Sequence, residues 1–291
     1  MRAENKGLLL MVTAALVFSG MNVLVKIALR EYSYMETVFF RSAFGTIIMF
    51  TFLRLRHLPV IGRRPGMLFL RGFLGFLGLS CYYFAMARLT LADTVILNKI
   101  SPLFVMILAH FLLKEVLSRA HLAILFSAIF GIYNIVQPQL EIAPLAGLIG
   151  LASAVFSAAA YIVVKKLSAD HSSAQIVFAF VAVATFLSIP VMMPSFVCPR
   201  GADWLIFLGI GATSSAAQLI MTKAYALGAP TPVSIASYGV VIFSALWGFL
   251  FFNEIQDTQA LTGTILVIGC LLVLPFINAG RTRRTGSFSE V

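Results

Sequence analysis

A chain of 291 residues that is 60% hydrophobic and only 11% charged, with a mean hydropathy of +0.98, is too apolar to be a soluble domain. The net charge of +10 would suggest nucleic acid in a soluble protein, but here the basic residues collect between apolar blocks of about 20 residues, which excludes nucleic acid and indicates membrane orientation. Cys81, Cys198 and Cys270 form no CxxC pair, so they imply neither a metal site nor a disulfide framework and read as small apolar fillers.

In chain order, residues 1–6 are polar and the apolar run that follows reaches about Val25 without a small-residue cleavage site, so it reads as an uncleaved first helix. Apolar runs and charge punctuation predict spans 1 to 5 at 7–29, 36–53, 66–87, 91–113 and 120–136. Spans 6 to 10 follow at 144–165, 174–193, 203–226, 232–252 and 259–277, with a polar tail at 280–291. The fold class is therefore all-α integral membrane, with ten transmembrane helices and no room for a soluble domain.

Placing the N-terminus in the cytoplasm puts Arg2, Lys6, Arg54, Arg56, Arg63, Arg64, Lys114, Arg119, Lys165, Lys166, Arg281, Arg283 and Arg284 inside, against Arg30, Arg88 and Arg200 outside. Both termini are then cytoplasmic in a multi-pass cell-membrane protein. Lys26, Arg41, Arg71, Lys99 and Lys223 fall within spans, Arg41 and Arg71 near span ends where a long side chain snorkels out easily and Lys26 near its outer end.

Span 4 reads Ala92-Asp-Thr94-Val-Ile-Leu-Asn98-Lys99-Ile-Ser-Pro102 and carries an ammonium inside apolar sequence, at about 2.5 to 3.5 kcal/mol on insertion scales. Pro102 lacks an N–H and frees the carbonyl of Asn98, which makes it the predicted hinge. Lys99 is the residue expected to attract an anionic group of a substrate, with Asn98 and Thr94 shaping its hydrogen bonds. The alternative is a lysine satisfied by neighbouring helices.

Ser214, Gln218 and Thr222 make a polar stripe on one face of span 8, suited either to a cavity or to interhelical hydrogen bonds. Asn22 and Tyr83, with Tyr82, are further cavity candidates, although tyrosines near span ends commonly anchor at the interface. Gly72, Gly75 and Gly78 recur every third residue on span 3, a pattern for close helix packing rather than phosphate binding. The pairs Lys114-Glu115 and Asn253-Glu254 close spans 4 and 9 and read as end anchors, with gates as the alternative, and every acidic residue lies in a loop, a tail or at a span end. With only His110 inside a span, no cofactor, catalytic or metal site is expected, and facilitated diffusion or exchange is as plausible as proton symport.

Sliding the chain by 139 residues pairs Val25-Lys26 with Val164-Lys165, Val38-Phe39 with Val177-Phe178, Gly72 with Gly211 and Glu115 with Glu254. Duplication of an odd number of helices gives two oppositely oriented repeats, 7–136 and 144–277, with a site between them near the midplane. Tyr238 is the equivalent of Lys99 and should share that cavity, with Trp247 as an aromatic wall.

Arg71-Gly-Phe-Leu-Gly-Phe-Leu-Gly-Leu, Tyr82-Tyr-Phe-Ala-Met-Ala, Leu91-Ala-Asp-Thr and Ser101-Pro-Leu-Phe through Leu113-Lys-Glu115 resemble the EamA family of the drug/metabolite transporter superfamily. The resemblance extends over essentially the whole chain and implies ten helices in two inverted five-helix EamA repeats and a transporter of unspecified cargo. The resulting expectation is a secondary, non-ATP transporter of a small polar metabolite, anionic or zwitterionic, working by alternating access around a cavity lined by spans 1, 3, 4, 6, 8 and 9. Exporter of amines or drugs, or a non-transporting membrane scaffold, are the alternatives; the expected partners are a small-molecule substrate and membrane lipids, as a monomer or homodimer.

Overall fold

The computed structural model describes residues 3–60, 62–101, 104, 123–124, 126–127, 129–131, 134, 143–167, 170–227, 236–255, 257–266, 268–270 and 272–273. The described residues are helical and contain no strand. The helices are α1 (Ala3–Ala28), α2 (Tyr34–Leu55), α3 (Pro65–Met86), α4 (Leu91–Lys99), α5 (Ala143–Leu167), α6 (Ser173–Met192), α7 (Asp203–Leu227) and α8 (Gly239–Phe252), with a further helical stretch beginning at Thr258. Among the described residues, six helices are long and apolar enough to cross a membrane: α1, α2, α3, α5, α6 and α7. The predicted hinge Pro102, His110, the Lys114-Glu115 pair, most of span 5 and the C-terminal tail lie outside the described residues.

Local chemistry starts and stops the helices where the sequence changes character. Ser33 caps α2 and Glu36 returns the bond to the Ser33 N–H, a complete capping box. Ser172 and Gln175 build the same box at α6. Pro65 occupies the first turn of α3, where its missing N–H is harmless. Span 4 begins at Leu91 as expected, but its regular helix ends at Lys99 with Ile100 as cap. A turn at Ser237 and Tyr238 likewise precedes α8.

Three antiparallel pairs form the body: α1 with α7, α3 with α5, and α2 with α6. Met11 and Ala14 pack on Ala224, and Tyr32, just past the other end of α1, on Phe207. Leu68 packs with Val163 and Leu167, while Gly78 lies against Ser153 and Phe156. A Cβ on Gly72 would meet Val183 Cβ at 2.5 Å, and one on Gly211 would meet Phe44 Cβ at 2.5 Å, so glycine permits both approaches. Large apolar side chains such as Ile47, Leu55, Phe69, Leu148, Phe186 and Leu205 face outward instead. Polar groups such as Ser19, Asn22, Thr94 and Ser188 face inward, the distribution that a hydrocarbon solvent selects. Cys198 corrects the reading of the cysteines as fillers: it is exposed, in the loop before α7, whereas Cys270 is buried and Cys81 half-buried.

Candidate functional site

A cavity of about 1070 Å³, counting its open mouth, lies between the helices. All six spans expected around it contribute, through α1, α3, α4, α5, α7 and the start of α8. Two further helices reach it, α2 through Arg41 and α6 through Phe180. The α3 wall is thin because Gly75 and Gly78 carry no side chain. A Cβ on Gly75 would stand 2.4 Å from Arg71 Nη1 and 2.5 Å from Phe180 Cδ2, so this glycine makes room for the arginine on the ring.

Three cations face the cavity: Arg41, Arg71 and Lys99. The expectation that the two arginines snorkel out is wrong, since Arg41 is 5% and Arg71 8% exposed. Both guanidinium groups lie over one ring, with Arg41 Cζ 5.6 Å and Arg71 Cζ 4.7 Å from the Phe180 centroid. Such contacts are worth up to about 2 kcal/mol when desolvated, enough to hold the side chains inward. Because both distances end at one centroid, the two charges are no more than about 10 Å apart, and their repulsion is at least about 1.6 kcal/mol at an effective dielectric of about 20. The Nε and Nη1 atoms of both arginines have no hydrogen-bond partner among the described residues. Among the described residues, no carboxylate lines the cavity to offset them.

Of the residues singled out from sequence, Asn22, Tyr83, Asn98, Lys99 and Gln218 meet at this cavity. Tyr83 is fully buried, and Tyr82 lines the cavity beside it, so neither is an interfacial anchor. The Tyr83 hydroxyl and Asn22 Oδ1 have no hydrogen-bond partner among the described residues. Asn98 donates to Ser153 Oγ at 3.0 Å and Ser157 Oγ at 3.3 Å, tying α4 to α5 and fixing the backbone that carries Lys99.

Thr94, Ser214, Tyr238 and Trp247 do not line the cavity. Thr94 Oγ1 donates back to Thr90 O at 2.9 Å, and Ser214 Oγ to Gly211 O at 3.0 Å, so both hydroxyls are consumed within their own helices. Tyr238 is packed in a cluster with Val95, Ile96 and Ile100, and its neighbour Ser237 reaches the cavity instead. Trp247 Nε1 donates to Ser19 Oγ at 3.0 Å, pinning α8 to α1 rather than forming a wall. Sequence reasoning missed Arg41, Arg71, Tyr161 and Phe180 as lining residues. The available signal was Gly75 one helical turn after Arg71, which clears space beside that arginine on the same face.

At the end of the bundle away from the N-terminus, Lys26 forms an ion pair with Glu254 and donates to Leu89 O at 2.8 Å. Glu254 Oε2 accepts from Leu91 N at 2.7 Å, so the pair joins the ends of α1 and α8 to the start of α4. Asn253, in the left-handed region at φ 52°, turns the chain out of α8 and brings Glu254 back toward Lys26. Glu254 is thus more than an end anchor. The cavity lies on the N-terminal side of this lock, with lining that runs from Asn22 to Met11 along α1.

Known proteins share this architecture. The sequence profile of the EamA-like transporter family matches twice, at residues 5–137 and 145–275. The pseudopaline exporter of Pseudomonas aeruginosa is 37% identical over 272 residues, covering 93% of this chain and 96% of its own. The riboflavin transporter of Vibrio cholerae is 25% identical over 96% of this chain and 95% of its own, and the S-adenosylmethionine uptake transporter of Rickettsia prowazekii 23% over 89% of each. A solved crystal structure superimposes with a TM-score of 0.67 over 94% of this chain and 98% of its own; at 18% identity the likeness is one of fold. With its apolar helices and two profile matches, the chain belongs to the EamA-like transporter family.

Proposed function

We propose that this multi-pass membrane transporter moves an anionic or zwitterionic metabolite by alternating access. The chain is a secondary transporter of a small metabolite, as its named relatives are transporters and not enzymes. The observation that carries the charge assignment is a cavity facing Arg41, Arg71 and Lys99 with no carboxylate on its wall among the described residues. In a medium of low dielectric, three unopposed cations favour an anionic guest and disfavour an amine or cationic drug. The free Asn22 Oδ1 offers an acceptor to an N–H or O–H of the same guest.

Alternating access follows from duplication. We read the chain as ten transmembrane helices in two inverted repeats, 7–136 and 144–277, with both termini cytoplasmic in the cell membrane. The two profile matches, the paired capping boxes at Ser33 and Ser172 and the paired glycines at 72 and 211 support the duplication. The Lys26–Glu254 lock closes one end while the cavity extends toward the other, as an inward-facing state of such a transporter requires. Proteoliposomes carrying the chain should take up radiolabelled organic acids or amino acids with saturation, and Lys99→Gln should reduce that flux. Saturable flux of amines with none of acids would contradict the proposal.

A further inference from the structure

The anionic reading, on which this inference rests, says nothing of how many charges the cargo carries, but the distribution of cations does. The residues 139 positions after Arg41, Arg71 and Lys99 are Phe180, Ile210 and Tyr238, none of them charged, and among the described residues the cations on the wall all come from the first half of the chain. Ser157 and Tyr161 on α5 and Gln218 and Met221 on α7 also line it and are uncharged. Among the described residues, the charge on the lining is therefore confined to α2, α3 and α4.

We infer that the cavity takes a compound bearing at least two carboxylates, held by Arg41 and Arg71 at the Phe180 ring and by Lys99, with its uncharged remainder against α5 and α7. Four guanidinium nitrogens, Nε and Nη1 of each arginine, are buried without a partner among the described residues. Unsatisfied donors of that kind are rare in folded proteins and mark a place where a ligand completes the hydrogen bonding. One carboxylate neutralises one of the three cations and leaves two positive charges on the lining without a counter-charge. Two or three carboxylates on one flexible molecule relieve both the charge and the missing bonds. Arginine suits carboxylates especially, since its planar group meets them with paired donors that a lysine lacks. Lys99, at the last residue of α4, serves as the separate point charge.

The test uses the purified full chain in nanodiscs and ligand-induced thermal shifts with four carboxylate or phosphate probes, butyrate, glutarate, tricarballylate and glycerol 3-phosphate, and with putrescine as a dication. The expected result is an apparent affinity at least tenfold higher for glutarate than for butyrate, and no weaker for tricarballylate. Arg71→Gln and Arg41→Gln should each abolish that gain, bringing glutarate to the affinity of butyrate measured in the same variant. Should either variant be misfolded by size-exclusion chromatography, Lys99→Gln on the half-buried end of α4 provides the same comparison with tricarballylate. Glutarate binding no tighter than butyrate would overturn the dicarboxylate inference and leave the anionic reading standing. Glycerol 3-phosphate binding as tightly as tricarballylate would overturn the inference in favour of phosphate esters. Binding of putrescine with no carboxylate bound would overturn both.

Discussion

Thr46 on α2 and Thr185 on α6 meet hydroxyl to hydroxyl at 3.2 Å, and they are 139 positions apart in the chain. Equivalent residues of two repeats touch one another only on the axis that relates them, so the contact marks where that axis crosses the bundle. Each hydroxyl also donates within its own helix, Thr46 to Ser42 O at 2.8 Å and Thr185 to Val181 O at 2.7 Å. A double-mutant cycle of Thr46→Ala and Thr185→Ala should therefore give a coupling of only about 0.6 kcal/mol, with the two single changes equal in effect. Thermal unfolding of the four proteins in detergent measures it; single changes of very different size would remove the symmetry.

The glycine pair extends the same relation to shape. Gly72→Ala presses a methyl group into Val183, and Gly211→Ala presses one into Phe44, each at 2.5 Å. Each should destabilise by about 1 to 3 kcal/mol through overpacking. Val183→Ala removes the two Cγ contacts but keeps the Cβ, so it should repair Gly72→Ala only in part and leave Gly211→Ala unrepaired, as read by melting temperature.

The lock at Lys26 and Glu254 predicts a change in access. Glu254→Gln removes the carboxylate that holds Lys26 and weakens the bond to Leu91 N, so the ends of α1, α8 and α4 separate more readily. A cysteine placed at Asn22, in a background lacking the three natural cysteines, should react several times faster with a membrane-impermeant maleimide applied from the lock side. An unchanged labelling rate would mean that the pair only staples the helix ends.

Outside the spans, Tyr32 donates to Asp203 Oδ2 at 2.6 Å, and this bond, followed by burial, pushes its phenol up to about 12. The sign is that of a raised group: the stabilisation is fully present below the unfolded phenol's value near 10 and disappears as pH rises through about 12. Wild-type melting temperature should fall over that window more steeply than that of Tyr32→Phe. Parallel curves would show that Tyr32 and Asp203 make no net contribution.

Trp247→Phe offers a contrast between framework and cavity. It removes the bond to Ser19 Oγ and should lower the melting temperature, at about 0.6 to 1.7 kcal/mol for an interhelical bond in a membrane. Substrate affinity should hold, because the ring lies off the cavity. A tenfold loss of affinity at unchanged melting temperature would return Trp247 to the binding site.

Much of this was legible because spans and repeats leave one-dimensional traces. The 139-residue offset, read from matches such as Gly72 with Gly211, returns as the packing of those glycines on Val183 and Phe44. Lys99 and Asn98 were legible because a charge next to an amide in apolar sequence has few comfortable places. Arg41 and Arg71 were not, because distance from a span end says how far an arginine can reach and not which way it turns. That direction is decided by Phe180, 139 residues beyond Arg41, and by the space that Gly75 leaves. Thr94 and Trp247 were misplaced for the converse reason: polar groups inside a membrane protein are as often bound to their own helix or a neighbour as to a guest.

If the transporter carries anionic metabolites past Arg41, Arg71 and Lys99, the cargo should be visible in untargeted mass spectrometry of cells and medium, with the gene deleted and restored as wild type or as Arg71→Gln. One or more compounds carrying carboxylates should redistribute between cells and medium when wild type is restored, and fail to do so with Arg71→Gln expressed at the same level. Redistribution confined to cationic or neutral compounds, or an Arg71→Gln profile identical to wild type, would contradict it.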